Sequence, residues 1–94
     1  MVLVDPPRWP GRSGRSRGRL WSHLVSDVSY AELHAFAEIL GVPRRGFERD
    51  HYDIPAEWFP VAVWLGAVPV PSRELVARLV AAGLRRRRTA AAVL

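Results

Sequence analysis

The sequence contains no cysteine, no lysine and no long uninterrupted hydrophobic run. Without cysteine there is no disulfide framework, thiolate metal site or cysteine nucleophile, so any metal must be bound by His, Asp or Glu. The longest apolar stretch, Trp58–Pro71, contains three prolines and is shorter than the roughly 20 residues of a membrane-spanning helix. The amino-terminal residues lack the basic-then-apolar layout of a secretion signal. We therefore expect a soluble, cytoplasmic protein without a membrane partner.

Arginine supplies all of the basic charge, and its distribution is uneven. The formal net charge is +5, from 14 basic and nine acidic residues. Nine arginines lie in segments 8–19 and 85–88, whereas residues 20–84 hold five arginines and eight acids, a net charge of −3. Arginine–glycine and arginine–serine segments are typical of chains that track nucleic-acid backbones, which favours a nucleotide or nucleic acid as partner. A solvated loop and a basic tail that suits a helix C-terminus explain the same residues.

The predicted elements follow the order strand, strand, helix, strand, helix, strand, helix. The apolar run Met1–Val4 indicates a central strand, and the alternation over Leu20–Asp27 indicates a second one. Ser29 and Glu32 form a capping-box pattern that begins a helix, and Gly41 ends it. The remaining elements are predicted at 47–54 (strand), 56–65 (helix, kinked at or beginning near Pro60), 67–70 (edge strand) and 72–83 (helix).

This order predicts a small single-domain α/β fold. We expect a two-layer or three-layer sandwich in which a short, mostly parallel or mixed sheet is covered by about three helices. The domain is predicted at residues 1–84, with a flexible Arg/Gly/Ser loop at 10–19 and a basic tail at 85–94.

The stretch from Arg49 to Pro55 concentrates titratable and hydrogen-bonding side chains between an apolar edge and a proline. On a strand of period two, His51 and Asp53 share one face, and Asp50 and Tyr52 share the other. The pattern therefore predicts that one imidazole and one carboxylate enter the same cleft.

Further candidates lie at the first two strands and the first helix. Asp5 ends the first strand, the place where open α/β sheets put their sites, although it could equally cap the following turn. His23 would share a strand face with Asp27. His34 falls at the border of the helix's apolar stripe, and a partly buried histidine with a satisfied nitrogen is the competing interpretation.

Four pieces of the chain carry a resemblance to a known family: Val2–Asp5, Trp21–Asp27 with Glu32–Ala35, Asp50–Asp53 and Gly66–Val68. From Val2 to about Gly83 the sequence resembles domain of unknown function 4031, small proteins of bacteria and their phages. The resemblance implies no activity, since none is assigned to the family. The longer arginine–glycine loop and Pro60 depart from the family pattern. The resemblance implies a polar signature at Asp5, His23, Asp27, His34, His51 and Asp53.

These residues support two enzymatic interpretations. Histidines and aspartates could hold a divalent metal such as zinc, manganese or iron, although their spacing matches no standard metal motif. Without a metal, one histidine paired with a carboxylate could act as general base and another as general acid in phosphoester cleavage, with Arg44 or Arg45 stabilising the phosphoryl charge. The catalytic candidates are Asp5, His23, His34, His51 and Asp53, and the ligand-binding candidates are Asp27, Arg44, Arg45 and Tyr52.

A non-enzymatic function is the alternative. The same cleft could hold a nucleotide or a nucleic-acid phosphate without turnover. The His-Tyr-Asp stretch could also be a buried hydrogen-bond network that stabilises the sheet. Of these interpretations we favour a polar site, built from Asp5, His23, His34, His51 and Asp53, that faces an anionic, phosphate-bearing ligand.

Overall fold

The computed structural model describes residues 1–11 and 18–86 of the 94-residue chain. Parts of the predicted loop (12–17) and tail (87–94) lie outside the described residues. The six strands of the described residues are β1 (Val2–Val4), β2 (Trp9–Pro10), β3 (Leu20–Ser26), β4 (Phe47–Glu48), β5 (His51–Pro55) and β6 (Val68–Pro69). The three α-helices of this part are α1 (Tyr30–Leu40), α2 (Phe59–Trp64) and α3 (Ser72–Ala81). Short 3-10 turns occupy Arg44–Gly46 and Ala56–Trp58.

The strands form one mixed sheet in the order β4-β5-β3-β1-β6, and β2 pairs with β3 beyond the end of β1. The pair β1–β6 is parallel, and the other four strand pairs of the described residues are antiparallel. The predicted α/β class with a mixed sheet is therefore confirmed, and the mostly parallel variant is wrong. After β3 the chain passes through α1 into β4 and then reverses direction in the β4–β5 hairpin. Because of this reversal, β5 pairs with β3 in the antiparallel direction.

Helices cover both faces of the sheet, so the sandwich has three layers. On one face, Leu24 and Ile54 pack with residues of α1 and α2, and all are almost completely buried. On the other face, Leu3 and Val25 pack with Leu75 and Leu79 of α3. Farther along that second face, toward β5, the side chains are polar and partly exposed. None of the helices in residues 1–11 and 18–86 combines the length and apolarity needed to cross a bilayer.

The predicted continuous strand over 47–54 is a hairpin. Between β4 and β5 the chain turns at Arg49, whose φ is +58°, and the Asp50 N–H donates to the Glu48 carbonyl at 2.6 Å. This left-handed residue takes Asp50 out of the strand alternation. The second helix begins at Phe59 with Pro60 in its first turn, where the missing proline N–H removes no helical hydrogen bond.

The first helix has the predicted amino-terminal cap, with one change. Ser29 Oγ accepts the Glu32 N–H at 3.0 Å, whereas the Glu32 carboxylate accepts from Ser26 Oγ at 2.6 Å and from the Met1 amino group at 2.8 Å. The Ser29 N–H donates instead to Ser26 Oγ at 3.1 Å. The capping box is thus only half formed, because the serine that ends β3 and the Met1 amino group occupy the glutamate.

We expect Ser29→Ala to lower the free energy of unfolding by about 1 kcal/mol, since the Glu32 N–H loses its acceptor. Urea denaturation measures the difference. Ser29→Asp is the matched control because aspartate also accepts the N–H at this position, so its stability should lie close to that of the wild type. Equal destabilisation by both substitutions would contradict the capping role.

Candidate functional site

Asp5 lies at the carboxyl end of β1 and is completely buried. Its Oδ1 accepts the main-chain N–H of His23 at 2.6 Å, and its Oδ2 lies 2.8 Å from His23 Nδ1. The Ser72 hydroxyl and the Trp9 indole N–H also donate to Oδ2, at 2.7 and 3.1 Å. Burial alone raises the pKa of Asp5, but the hydrogen bonds from His23 and Ser72 outweigh it, so the pKa lies below its ordinary value. Asp5 is therefore an ionised carboxylate that orients its neighbours.

His51 has a carboxylate partner of the same kind. Its Nδ1 lies 2.8 Å from Oδ1 of Asp50, which is 1% exposed. The other Asp50 oxygen, Oδ2, accepts the main-chain N–H of Arg86 at 2.9 Å. A carboxylate only accepts hydrogen bonds, so we assign the Nδ1 proton to His23 and to His51, with each Nε2 directed away from its carboxylate partner.

Both Nε2 atoms face Asp53. His23 and Asp53 are cross-strand partners, and His51 lies two residues before Asp53 on the same face of β5. His51 Nε2 lies 3.3 Å and His23 Nε2 lies 3.9 Å from Asp53 Oδ1. We call His23, His51 and Asp53 the His–Asp cluster. Its side chains are 29%, 13% and 44% exposed, respectively, so a solute can reach them.

The geometry of the His–Asp cluster fits a metal ion. One potential ligand atom from each residue lies within 4.8 Å of the other two. Three ligand atoms about 2.1 Å from a tetrahedral ion are about 3.4 Å apart, so the observed distances require only small side-chain shifts. Asp5 and Asp50 complete the arrangement, because metal-binding histidines usually donate their second nitrogen to a carboxylate or carbonyl.

The electrostatics also favour a cation. Burial lowers the pKa of His51, but the hydrogen bonds to Asp53 and Asp50 raise it by more than burial lowers it. The pKa of His51 therefore lies above its ordinary value. Burial and the negative charge of Asp5 raise the pKa of Asp53. The His51 hydrogen bond and the His23 charge lower it by more, so the pKa of Asp53 lies below its ordinary value. Three carboxylates thus surround two imidazoles and stabilise positive charge between them.

The remaining predicted site residues lie elsewhere. His34 Nδ1 lies 2.7 Å from the Tyr52 hydroxyl, and Tyr52 is 1% exposed in the core on the opposite face of the sheet. Arg44 and Arg45 lie in the exposed turn after α1. Asp27 follows β3 and pairs with the Met1 amino group and Arg78, about 13 Å along the strand from His23. The structure brings together Asp5, His23, His51 and Asp53.

Three residues of this site, Asp50, Ser72 and Trp9, were not among the predicted site residues. Ser72 follows β6, which is parallel to β1, and parallel strands end at the same edge of a sheet; its position after a predicted strand was the available signal. Predicting Asp50 as a site residue requires knowledge of the hairpin turn. Predicting Trp9 requires knowledge that β2 pairs with β3. Both depend on contacts between distant parts of the chain.

Sequence comparison gives the chain a family. The sequence model described as "Protein of unknown function (DUF4031)" matches residues 2–82. The chain belongs to this family. The DUF4031 match includes all six described strands, the three described helices and the whole His–Asp cluster, which confirms the resemblance. No curated protein and no solved structure matches the chain. The DUF4031 description assigns no activity, so function is inferred from the site.

We expect His34 to make stability depend on pH. Burial and the Arg44 charge lower the pKa of His34, so folding favours the neutral imidazole. A histidine with a lowered pKa contributes stability above its unfolded pKa, and this contribution is lost as pH falls through the folded-state pKa. Urea denaturation between about pH 7.5 and 5.5 spans the ordinary histidine value. The wild type should lose more stability over this interval than His34→Gln, and parallel losses would contradict the assignment.

Proposed function

We propose that the His–Asp cluster binds a divalent transition metal of the zinc class and that the loaded site hydrolyses phosphoesters. The observation that supports this proposal is the convergence of two Nε2 atoms on Asp53 Oδ1, at 3.3 and 3.9 Å. A buried carboxylate beside each Nδ1 favours the tautomer whose Nε2 can bind a metal. Asp5 and Asp50 already give each histidine a carboxylate partner. A purely structural pair of histidines would not need Asp53, a third carboxylate that is 44% exposed, between them.

The donor set indicates the class of metal and of reaction. Two imidazoles and one carboxylate suit zinc, and also manganese or iron in sites with open positions. Such an ion, when bound, polarises a phosphoryl oxygen and lowers the pKa of a water. Three protein donors are the usual number in catalytic zinc sites, whereas structural sites use four.

The surrounding residues of this chain have separate tasks in the proposal. Asp5 and Asp50 fix the imidazole orientation, and the burial of both carboxylates keeps those hydrogen bonds from exchanging with water. Arg85, 43% exposed, lies 3.6 Å from Asp50 Oδ2 and can reach the charge of a phosphate. We assign the phosphate contact to Arg85 instead of Arg44, whose charge acts on His34 and Tyr52 on the opposite face.

A non-catalytic binding module is the second candidate. Tyr52 belongs to the His-Tyr-Asp stretch, yet its side chain packs in the core and its hydroxyl contacts His34. Part of this stretch is therefore structural, as a hydrogen-bond network would require. In this alternative, the His–Asp cluster holds an anionic ligand or a metal without turnover.

The test compares wild-type protein with His51→Ala and His34→Ala, each purified without chelators. His34→Ala is the matched control, since it removes a histidine outside the His–Asp cluster. We expect a near-stoichiometric transition metal by mass spectrometry in the wild type and in His34→Ala, and its loss in His51→Ala. Hydrolysis of bis(4-nitrophenyl) phosphate should follow the metal content.

Two results would change the proposal. If none of the three proteins holds a metal after incubation with zinc, manganese or iron, the metal site is wrong. If the wild type binds the metal but hydrolyses neither a phosphodiester nor a phosphomonoester, the binding module replaces the hydrolase.

A further inference from the structure

Trp9 lies against the His–Asp cluster and is held in place by a buried group. Its indole N–H donates to Asp5 Oδ2 at 3.1 Å. Its ring centroid lies 5.1 Å from that of His23, with an interplanar angle of 59°. Pairing of β2 with β3 at Trp21 also fixes its main chain. The orientation of this side chain is therefore restricted before any ligand binds.

Despite these contacts, the Trp9 side chain remains accessible. Trp9 is 44% exposed, whereas its cross-strand partner Trp21 is only partly exposed and has the Arg19 guanidinium 5.9 Å from its ring centroid. A large indole on a protein surface normally gains free energy by burial. Its rigid, accessible position beside a polar cluster is typical of a ligand-binding aromatic side chain.

We infer that Trp9 stacks against the base of a nucleotide, or of an unpaired nucleic-acid strand, whose phosphate lies at the His–Asp cluster. The inference rests on the proposed function and names its substrate class. A single ribose separates base from phosphate, so a ligand whose phosphate lies beside His23 carries its base to the neighbouring indole. Every nucleobase has a π-face, so this contact selects bases without selecting a sequence.

An exposed arginine next to Trp9 suits an anionic ligand of this kind. Arg8 precedes it and is exposed. The main chain of Arg19 lies close by, since the Gly11 N–H donates to the Arg19 carbonyl at 2.9 Å, and the Arg19 guanidinium pairs with Glu57 at 2.8 Å. Cationic side chains beside an aromatic platform form the usual combination for unpaired nucleic acid. Bases inside a duplex stack on one another, so their faces are not available to Trp9.

The experiment measures the binding of two phosphate mimics to zinc-loaded protein by calorimetry. The mimics are the 5′-methylenephosphonates of adenosine and of ribose, whose C–P bond resists hydrolysis. Stacking should make the adenosine compound bind about 5- to 150-fold tighter in the wild type. This ratio should fall close to one in Trp9→Leu and remain largely intact in Trp9→Phe. Both variants lose the N–H to Asp5, so their difference isolates the ring.

The outcomes separate this inference from the proposed function. Equal affinity of the wild type for both compounds overturns the stacking assignment and leaves the metal-dependent phosphate site standing. If the protein binds zinc but neither of the two phosphonates, the phosphate site itself is overturned. Equal loss of the ratio in Trp9→Phe and Trp9→Leu also overturns stacking, because the N–H would then be responsible.

A second arm identifies the source of the base. A fluorescent ten-nucleotide single strand and its duplex are titrated against the same zinc-loaded proteins. Tighter binding of the single strand than of the adenosine phosphonate, with loss in Trp9→Leu, assigns an unpaired strand. Affinity no greater than that of the adenosine phosphonate assigns a free nucleotide. Preference for the duplex overturns the inference.

Discussion

Replacing Asp5 by alanine should destabilise the metal-free protein by about 3 to 5 kcal/mol. The carboxylate is 0% exposed and accepts the His23 main-chain N–H, the Ser72 hydroxyl and the Trp9 indole N–H. Alanine leaves these donors without an acceptor and removes the partner of the His23 imidazole. Domains of this size have net stabilities of about 5 to 15 kcal/mol, so the loss is a large fraction of the total.

Asparagine should not rescue this position. Oδ1 accepts one N–H and Oδ2 accepts the others, so the amide NH2 must face a donor in either orientation. Asp53→Asn is the matched control, because Asp53 is 44% exposed and an exposed pair contributes only about 0 to 1 kcal/mol. Urea denaturation with a chelator present measures all three variants. A shift for Asp5→Ala as small as that for Asp53→Asn would contradict the role of Asp5.

Much of the fold could be predicted from local signals. Ser29 and Gly41 limit α1 as expected, since Ser29 caps its first turn and Gly41 has φ +97°. Pro60 lies in the first turn of α2, the position that its missing N–H permits. The hairpin at Arg49 could not be predicted, because the residue is not glycine and its left-handed conformation depends on the pairing of Glu48 with His51.

The candidate site was predictable where it depends on strand periodicity. His51 and Asp53 share a face of β5 as the alternation requires, and Asp5 ends β1 as its sequence position indicates. The pairing of β3 with β5 places Asp53 opposite His23, and this register joins residues 30 positions apart in the chain. No local pattern specifies such a register, so the sequence identified the members of the His–Asp cluster without their geometry.

His34 illustrates the opposite case. Its position at the border of an amphipathic helix was compatible with a site or with a satisfied, partly buried imidazole. The structure shows the Tyr52 hydroxyl 2.7 Å from His34 Nδ1 and the Phe47 ring 4.6 Å from the His34 ring. Those neighbours face the α1 side of the sheet, whereas the His–Asp cluster faces the α3 side. Helical periodicity gives the angle of a side chain about its helix but not the sheet face that the helix covers.

Asp50→Asn should weaken zinc binding by about 10- to 100-fold, although Asp50 is not expected to contact the metal. Asp50 Oδ1 lies 2.8 Å from His51 Nδ1, and Oδ2 accepts the Arg86 N–H. An asparagine oxygen can satisfy only one of these donors, and its NH2 then faces the other. The His51 ring therefore loses either its fixed orientation or the neighbouring negative charge of Asp50, which makes Nε2 a stronger donor to a metal.

Arg85→Ala is the matched control for Asp50→Asn, because the Arg85 guanidinium lies 3.6 Å from the same carboxylate and is 43% exposed. Its removal should leave zinc affinity nearly unchanged or slightly raised, since a nearby positive charge opposes metal binding. Competition with a chromogenic chelator measures all three dissociation constants. Unchanged affinity in Asp50→Asn would show that His51 needs no carboxylate partner. Equal weakening in Asp50→Asn and Arg85→Ala would instead indicate a general disturbance of this edge of the sheet, because of these two residues it is Asp50 that bonds to the His51 imidazole.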